Sequence, residues 1–210
     1  MDEEQAVLNF FAQSENLPLA LSVADQTDDL RRQSNNGFWL ALRERIASGT
    51  PAWHVTTTED RNATECLVGL HLEPAQDQTL YLRPMLEQQY LGDALRIYYG
   101  LMWSALPSAD QMRLDAVTML RDSLVAEGFK SNENFLAWQW TPYYPRRRDF
   151  LLRFATAAQV LVDEIDSLMQ YLLVTHSAAL QGANSALRSA PRSAAVSLDN
   201  LRANLKSKLV

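Results

Sequence analysis

The chain has 210 residues, 47% of them hydrophobic, enough to bury the core of one large domain or of a domain with an appended element. A formal net charge of −6 disfavours charge-driven binding to nucleic acid or to an anionic membrane surface. The single cysteine, Cys66, excludes an internal disulfide framework and a zinc site needing two thiolates; with the acidic start MDEEQAVLNFF, where a secretory signal needs basic residues, it points to the cytoplasm.

Charge is unevenly distributed. Residues 1–30 hold Asp2, Glu3, Glu4, Glu15, Asp25, Asp28 and Asp29 and no Lys or Arg, whereas 181–210 carry Arg188, Arg192, Arg202, Lys206 and Lys208 against Asp199 alone. An acidic beginning and a basic end attract each other, within one chain or between two.

In chain order, DEEQAVLNFFAQ predicts a short amphipathic helix with acids in its first turn and Val7, Phe10 and Phe11 on one side. LALSVADQTDDLRRQ and NNGFWLALRERIASG carry Leu19, Val23 and Leu30, then Phe38, Leu42 and Ile46, at helical spacing. The period then changes. AWHVTTTED, ECLVGLHLE and QTLYLRPML read as three strands of an antiparallel meander, the second with Cys66, Val68, Leu70 and Leu72 on one side and the third stopped by Pro84. From Glu87 a helical pattern returns through Leu91, Leu95, Tyr98, Tyr99 and Met102. Residues 107–128 predict a helix with a Ser108/Gln111 capping box and a stop at Gly128.

FLAWQWT reads as a fourth strand, PYYP as a turn, and residues 146–176 as a long helix with Phe150, Phe154, Ala157, Leu161, Ile165, Leu168 and Leu172 in one stripe, suited to packing on a second copy. Residues 177–210, rich in Ala and Ser, read as a tail ending in a short helix with Val196, Leu198, Leu201 and Leu205. The expectation is therefore an α+β protein, mostly helical, with a small antiparallel sheet of a three-stranded meander plus a fourth strand, flanked by helices. Residues 1–176 form its single domain and 177–210 its basic tail.

Chemistry-bearing motifs are few. Neither a phosphate-binding glycine loop nor a G-x-S-x-G elbow occurs. Pairing of the first two strands would bring His54, Glu59, His71 and Glu73 together, but no two histidines have ligand spacing on one helix, so no cofactor or metal is assigned. Cys66, on an apolar strand side, reads as a buried thiol rather than a nucleophile, and carboxylate pairs such as Glu59/Asp60 read as solvated charge.

The order helix, three-stranded meander, helix, strand over about Asn36 to Thr141 resembles the core of the PD-(D/E)XK nuclease-like superfamily. That resemblance implies a nucleic-acid-acting protein whose metal is held by an acid and a Glu-x-Lys on adjacent strands. Here the third strand, TLYLRPML, has Arg83 as its only charge and no carboxylate two residues earlier, a departure that implies a degenerate site.

The stretch WQWTPYYPRRRDF, residues 138–150, carries the remaining signal. Trp138, Trp140, Tyr143 and Tyr144 suit stacking or interface anchoring, and Arg146, Arg147 and Arg148 suit an acidic or phosphorylated ligand. Packing explains part of it: the Trp residues alternate on a strand and the prolines turn the chain. Three arginines at a helix start oppose the macrodipole, at about 0.3–1 kcal/mol each, and need a compensating partner, for which the acidic first thirty residues are the internal candidate. The preferred expectation is a non-catalytic cytoplasmic interaction or regulatory module that binds a protein partner through these residues and forms a homodimer by its long helix. The alternatives are the nuclease-like reading and a small-molecule or metal-dependent enzyme with His54 and His71 in its pocket.

Overall fold

A computed structural model describes residues 2–190 apart from 76, 77 and 93. Two helices open the chain, α1 (Glu3–Phe11) and α2 (Leu17–Gly49), and four strands follow, β1 (Trp53–Asp60), β2 (Ala63–Pro74), β3 (Leu82–Leu91) and β4 (Ala94–Trp103). The short α3 (Ala109–Met112) and α4 (Asp115–Ala126) lead to β5 (Phe135–Trp140), and α5 (Arg148–Thr175) and α6 (Ser177–Ser189) close the fold. The strands form one antiparallel sheet in the order β1-β2-β3-β4-β5, so the class is α+β as expected, with five strands rather than four.

The added strand replaces the helix expected from Glu87. Along β4, Ile97, Tyr99, Leu101 and Trp103 enter the main core while Tyr98 and Met102 join a second cluster on the other face. A strand apolar on both sides shows no alternation, and its bulky residues then mimic helical spacing. Gly92, at φ 62°, lies between β3 and β4 and supplies a left-handed conformation open to glycine without strain. Pro84 does not end its strand: the β2–β3 ladder stops at His71↔Met85, one residue before it, while Pro84 stands opposite Leu101 of β4. With β4 in place of the first of the two expected helices, four strands rather than three run between α2 and the helices α3 and α4 that precede β5.

One sheet face carries all the helical packing. Phe38, Trp39, Leu42 and Ile46 of α2 are fully buried, and Phe38 meets Phe150 of α5 edge-on at 5.0 Å. Arg45 Nε donates to Asp163 at 2.6 Å, and its Nη2 lies 3.5 Å from the buried Asp166. The α5 stripe expected to face a second copy is used internally: Phe150, Leu161, Ile165 and Leu172 are buried, and Phe154 and Leu168 pack against the same core. Ala157 leaves helical geometry at φ −147°, ψ 47°, and kinks α5 there.

The residues from Ser177, read as the start of a tail, form α6 and send Leu180, Ala183 and Leu187 into the main core. Asn184 locks this helix to the sheet, accepting from Leu82 N at 2.7 Å and donating to Leu82 O at 3.1 Å. The expected terminal helix lies outside the described residues. The two stretches within residues 17–49 that read as helical form one helix of 33 residues, whose buried positions begin only at Asn35. The Ser108/Gln111 capping box forms, but it caps the four-residue α3, and Leu114 interrupts the helix before α4. Among the described residues no helix is long and apolar enough to cross a membrane.

Candidate functional site

The opposite sheet face has its own apolar cluster, Met85, Tyr98, Met102 and Phe135 with the half-buried Trp138 and Trp140, and among the described residues no helix residue takes part in it. The rings meet edge-on: Tyr98 lies 5.3 Å from Trp140 and 6.0 Å from Trp138, and the two indoles are 5.6 Å apart. Such edge-to-face pairs fix ring orientation beyond what area burial alone provides. Gly100 permits the tight β4–β5 approach beneath them, since a Cβ there would fall 2.1 Å from Ala137 O. Trp138 Nε1 is buried with no hydrogen-bond partner among the described residues.

Phe135 joins this face because of a bulge. Leu101 pairs with Ala137 and Met102 with Phe135, so Leu136 is the extra residue. The strict alternation expected for FLAWQWT therefore breaks, and Phe135 turns to the side of Trp138 and Trp140.

Arginines frame the aromatic patch. The Arg96 guanidinium stands 5.6 Å from the Trp140 centroid and 5.2 Å from that of Tyr144, while its Nε donates to Thr141 O at 2.6 Å. Arg147 covers the Tyr144 ring at 3.9 Å, and Arg146 Nη1 donates to Tyr90 Oη at 2.9 Å. The arginines before α5 thus use aromatic partners where acidic N-terminal residues were expected. Arg148 is the exposed first residue of α5. Tyr143 belongs to the core side, its hydroxyl donating to Glu164 at 3.2 Å and its pKa raised, chiefly by burial.

Trp138, Trp140, Tyr144, Arg146 and Arg147 are therefore brought together from the expected set, with Arg148 beside them and Tyr143 outside. Arg96 completes the surface, and Tyr98, Met85, Met102 and Phe135 form the buried layer beneath it. The first four required recognising β3 and β4 as paired strands whose alternate residues share one face.

A cleft of about 740 Å³ adjoins the patch, with Tyr98 on its wall. It lies where the β1–β2 and β3–β4 hairpins diverge, because β2 and β3 pair only over Gly69–His71 and Met85–Glu87. Its other walls include Thr58, Val68, His71, Arg83 and Tyr90. Tyr98 Oη donates to Glu87 Oε2 at 2.6 Å, and His71 bridges Thr58 Oγ1 at 3.3 Å and Glu73 Oε1 at 3.0 Å. Val68 reaches the cleft because β2 is bulged: Thr58 pairs with Gly69 and Glu59 with Leu67, leaving Val68 unmatched. Leu67 packs toward the helical core, so the expected Cys66-Val68-Leu70-Leu72 side is broken at that point.

The register sets His54 opposite Glu73 and Thr56 opposite His71, but Glu59 pairs with Leu67 farther along β1. Among the described residues no three His, Cys, Asp or Glu side chains are placed to hold a metal ion. Cys66 is a free, half-buried thiol. In comparisons with known proteins, no protein-family model, no curated protein and no solved structure matches the chain significantly.

Proposed function

We propose that this chain is a non-catalytic cytoplasmic interaction module that binds a protein partner on the open sheet face, and that it self-associates through a long helix. The observation that carries the reading is the row Trp140, Arg96, Tyr144, Arg147, in which two guanidinium groups and two rings alternate at 3.9–5.6 Å beside a buried aromatic cluster. Trp, Tyr and Arg are the residue types that dominate interface energetics, and here stacking holds them in place before any partner arrives. Ordering four free side chains would cost about 0.5–1.5 kcal/mol each, a cost this arrangement reduces.

The partner segment that fits is acidic and apolar. Carboxylates meet Arg96, Arg146, Arg147 and Arg148, and an apolar side chain rests against Trp138 or Trp140 near Trp138 Nε1, which has no partner among the described residues. Because the α5 stripe is filled inside the chain, the long helix available for self-association is the N-terminal half of α2.

Peptide-display selection against the immobilised protein tests partner binding, with every enriched peptide re-measured on a variant carrying Arg96→Ala, Arg146→Ala, Arg147→Ala and Trp140→Ala. The reading expects acidic peptides with one or two large apolar residues whose affinity falls at least about tenfold on the variant. Peptides that bind both proteins equally would remove this face from the account.

A further inference from the structure

Residues 2–30 form an arm that no other described part of the fold covers. α1 has no buried residue, and α2 has none before Asn35. Val7, Phe10, Leu19, Leu21, Val23 and Leu30 are each more than half exposed or close to it, at 49–64%. So much apolar surface on one protruding element marks an interaction site, and helices without tertiary packing are marginal in water. The same residues carry seven carboxylates and no Lys or Arg, so the surface calls for an apolar and basic occupant.

We infer that the occupant is residues 191–210 of a second copy of this chain. That segment has Arg192, Arg202, Lys206 and Lys208 against Asp199, and Leu198, Leu201, Leu205 and Leu209 recur three or four residues apart, the spacing of an amphipathic segment. Its charge is opposite to that of the arm and its apolar residues match the arm's exposed ones.

Geometry favours a second copy over the chain's own arm. The arm leaves the fold where Asn36 donates to the Glu65 carbonyl and Arg32 pairs with the Glu65 carboxylate, at the start of β2. The segment leaves from α6, whose Arg188 donates to Gln78 Oε1 at 3.2 Å, just past the far end of β2. Glu65 and Pro74 are separated by about 30 Å of strand, and the arm extends α2 by roughly another 27 Å beyond Asn35. Two copies, each placing its terminal segment on the other's arm, make two identical contacts in a closed pair. This deepens the self-association half of the proposed function and is independent of the open sheet face.

Sedimentation equilibrium of the full chain at micromolar concentration tests it, at low and at high salt. A dimer is expected whose dissociation constant rises about tenfold or more with salt. A quadruple variant, Arg192→Glu, Arg202→Glu, Lys206→Glu and Lys208→Glu, is expected to be monomeric with an unchanged melting temperature. A synthetic peptide of residues 191–210 should bind that variant and should fail to bind one with Phe10→Ser, Leu19→Ser and Val23→Ser. A monomeric wild type whose four-Glu variant binds the peptide more tightly would mean docking on the chain's own arm and overturn the proposal. A peptide that does not bind, or a dimer indifferent to the four Glu substitutions, would overturn it as well. Trp140→Ala should leave the dimer intact, which separates failure here from failure of the partner site.

Discussion

The guanidinium carbon of Arg147 lies 3.9 Å from the centroid of the Tyr144 ring, and Arg96 approaches the same ring to 5.2 Å. One tyrosine in the turn between β5 and α5 therefore joins a residue before the helix to a residue of β4. Tyr144→Leu releases both arginines while keeping an apolar side chain. Exposed cation–π contacts contribute about 0.5–1 kcal/mol each, so chemical denaturation should show a stability loss of about 1–2 kcal/mol. Affinity for peptides selected on the wild type should fall by about tenfold or more. Equal affinity with equal stability would mean that the stack has no part in recognition.

Gly100 supports the patch from below. Adding a Cβ would bring it within 2.1 Å of Ala137 O and 2.7 Å of Trp138 Cα, and backbone atoms cannot swing away as a side chain can. Gly100→Ala should cost about 3 kcal/mol or more, the upper end of overpacking penalties, read as a lowered melting temperature. Gly92→Ala meets no neighbour within 4 Å and carries only the penalty of φ 62°, about 1–2 kcal/mol.

Asn184 tests whether α6 belongs to the folded body. Asn184→Ala removes both hydrogen bonds to Leu82 and leaves the buried Leu82 N–H and C=O without them. A cost of about 2–4 kcal/mol is expected in a denaturant titration, because each unsatisfied buried group costs about 1–3 kcal/mol. A change under 1 kcal/mol would mean that α6 is only loosely attached.

Tyr171 donates to the Glu127 carboxylate, and that hydrogen bond, ahead of desolvation and repulsion, pushes its pKa up to about 12. A phenol whose folded pKa is raised contributes stability that is fully present below the ordinary value of 10 and is lost as pH rises through about 12. Ultraviolet titration of wild type against Tyr171→Phe should isolate one phenol ionising near pH 12. In Glu127→Gln that phenol should ionise at lower pH, since the charged acceptor is gone.

The sequence was readable where one physical constraint acted alone. β1, β2 and β5 announced themselves by β-branched and aromatic content, and Ser108/Gln111 by a pattern that reports its own hydrogen bonds. β4 was hidden because Tyr98 and Met102 are as apolar as Tyr99 and Leu101, so the two-sided burial of a central strand erased its period. Pro84 misled for a related reason: the rule that proline ends a ladder holds only where its neighbour still needs the N–H, and β2 has already stopped pairing there.

At the candidate site, composition picked out Trp138, Trp140, Tyr144, Arg146 and Arg147, which are close in sequence. Arg96 and Tyr98 reach them only through the β4–β5 pairing, with Arg96 donating to Thr141, a contact no local pattern encodes. The two bulges, at Val68 and Leu136, each shift one strand segment by a residue and exchange which side chains face the helices. Neither has a glycine or proline at the extra residue to signal it.

The most direct measurement is a two-dimensional NMR record of the five indole N–H signals during titration with a display-selected acidic peptide. Trp39 and Trp103 are buried in the helical core, Trp53 packs beside it, and Trp138 and Trp140 lie on the open face. Binding on that face should shift the Trp138 and Trp140 signals, most strongly Trp138 as its buried Nε1–H gains an acceptor, and leave Trp39 and Trp103 in place. Shifts confined to Trp39, Trp53 or Trp103 would contradict the account.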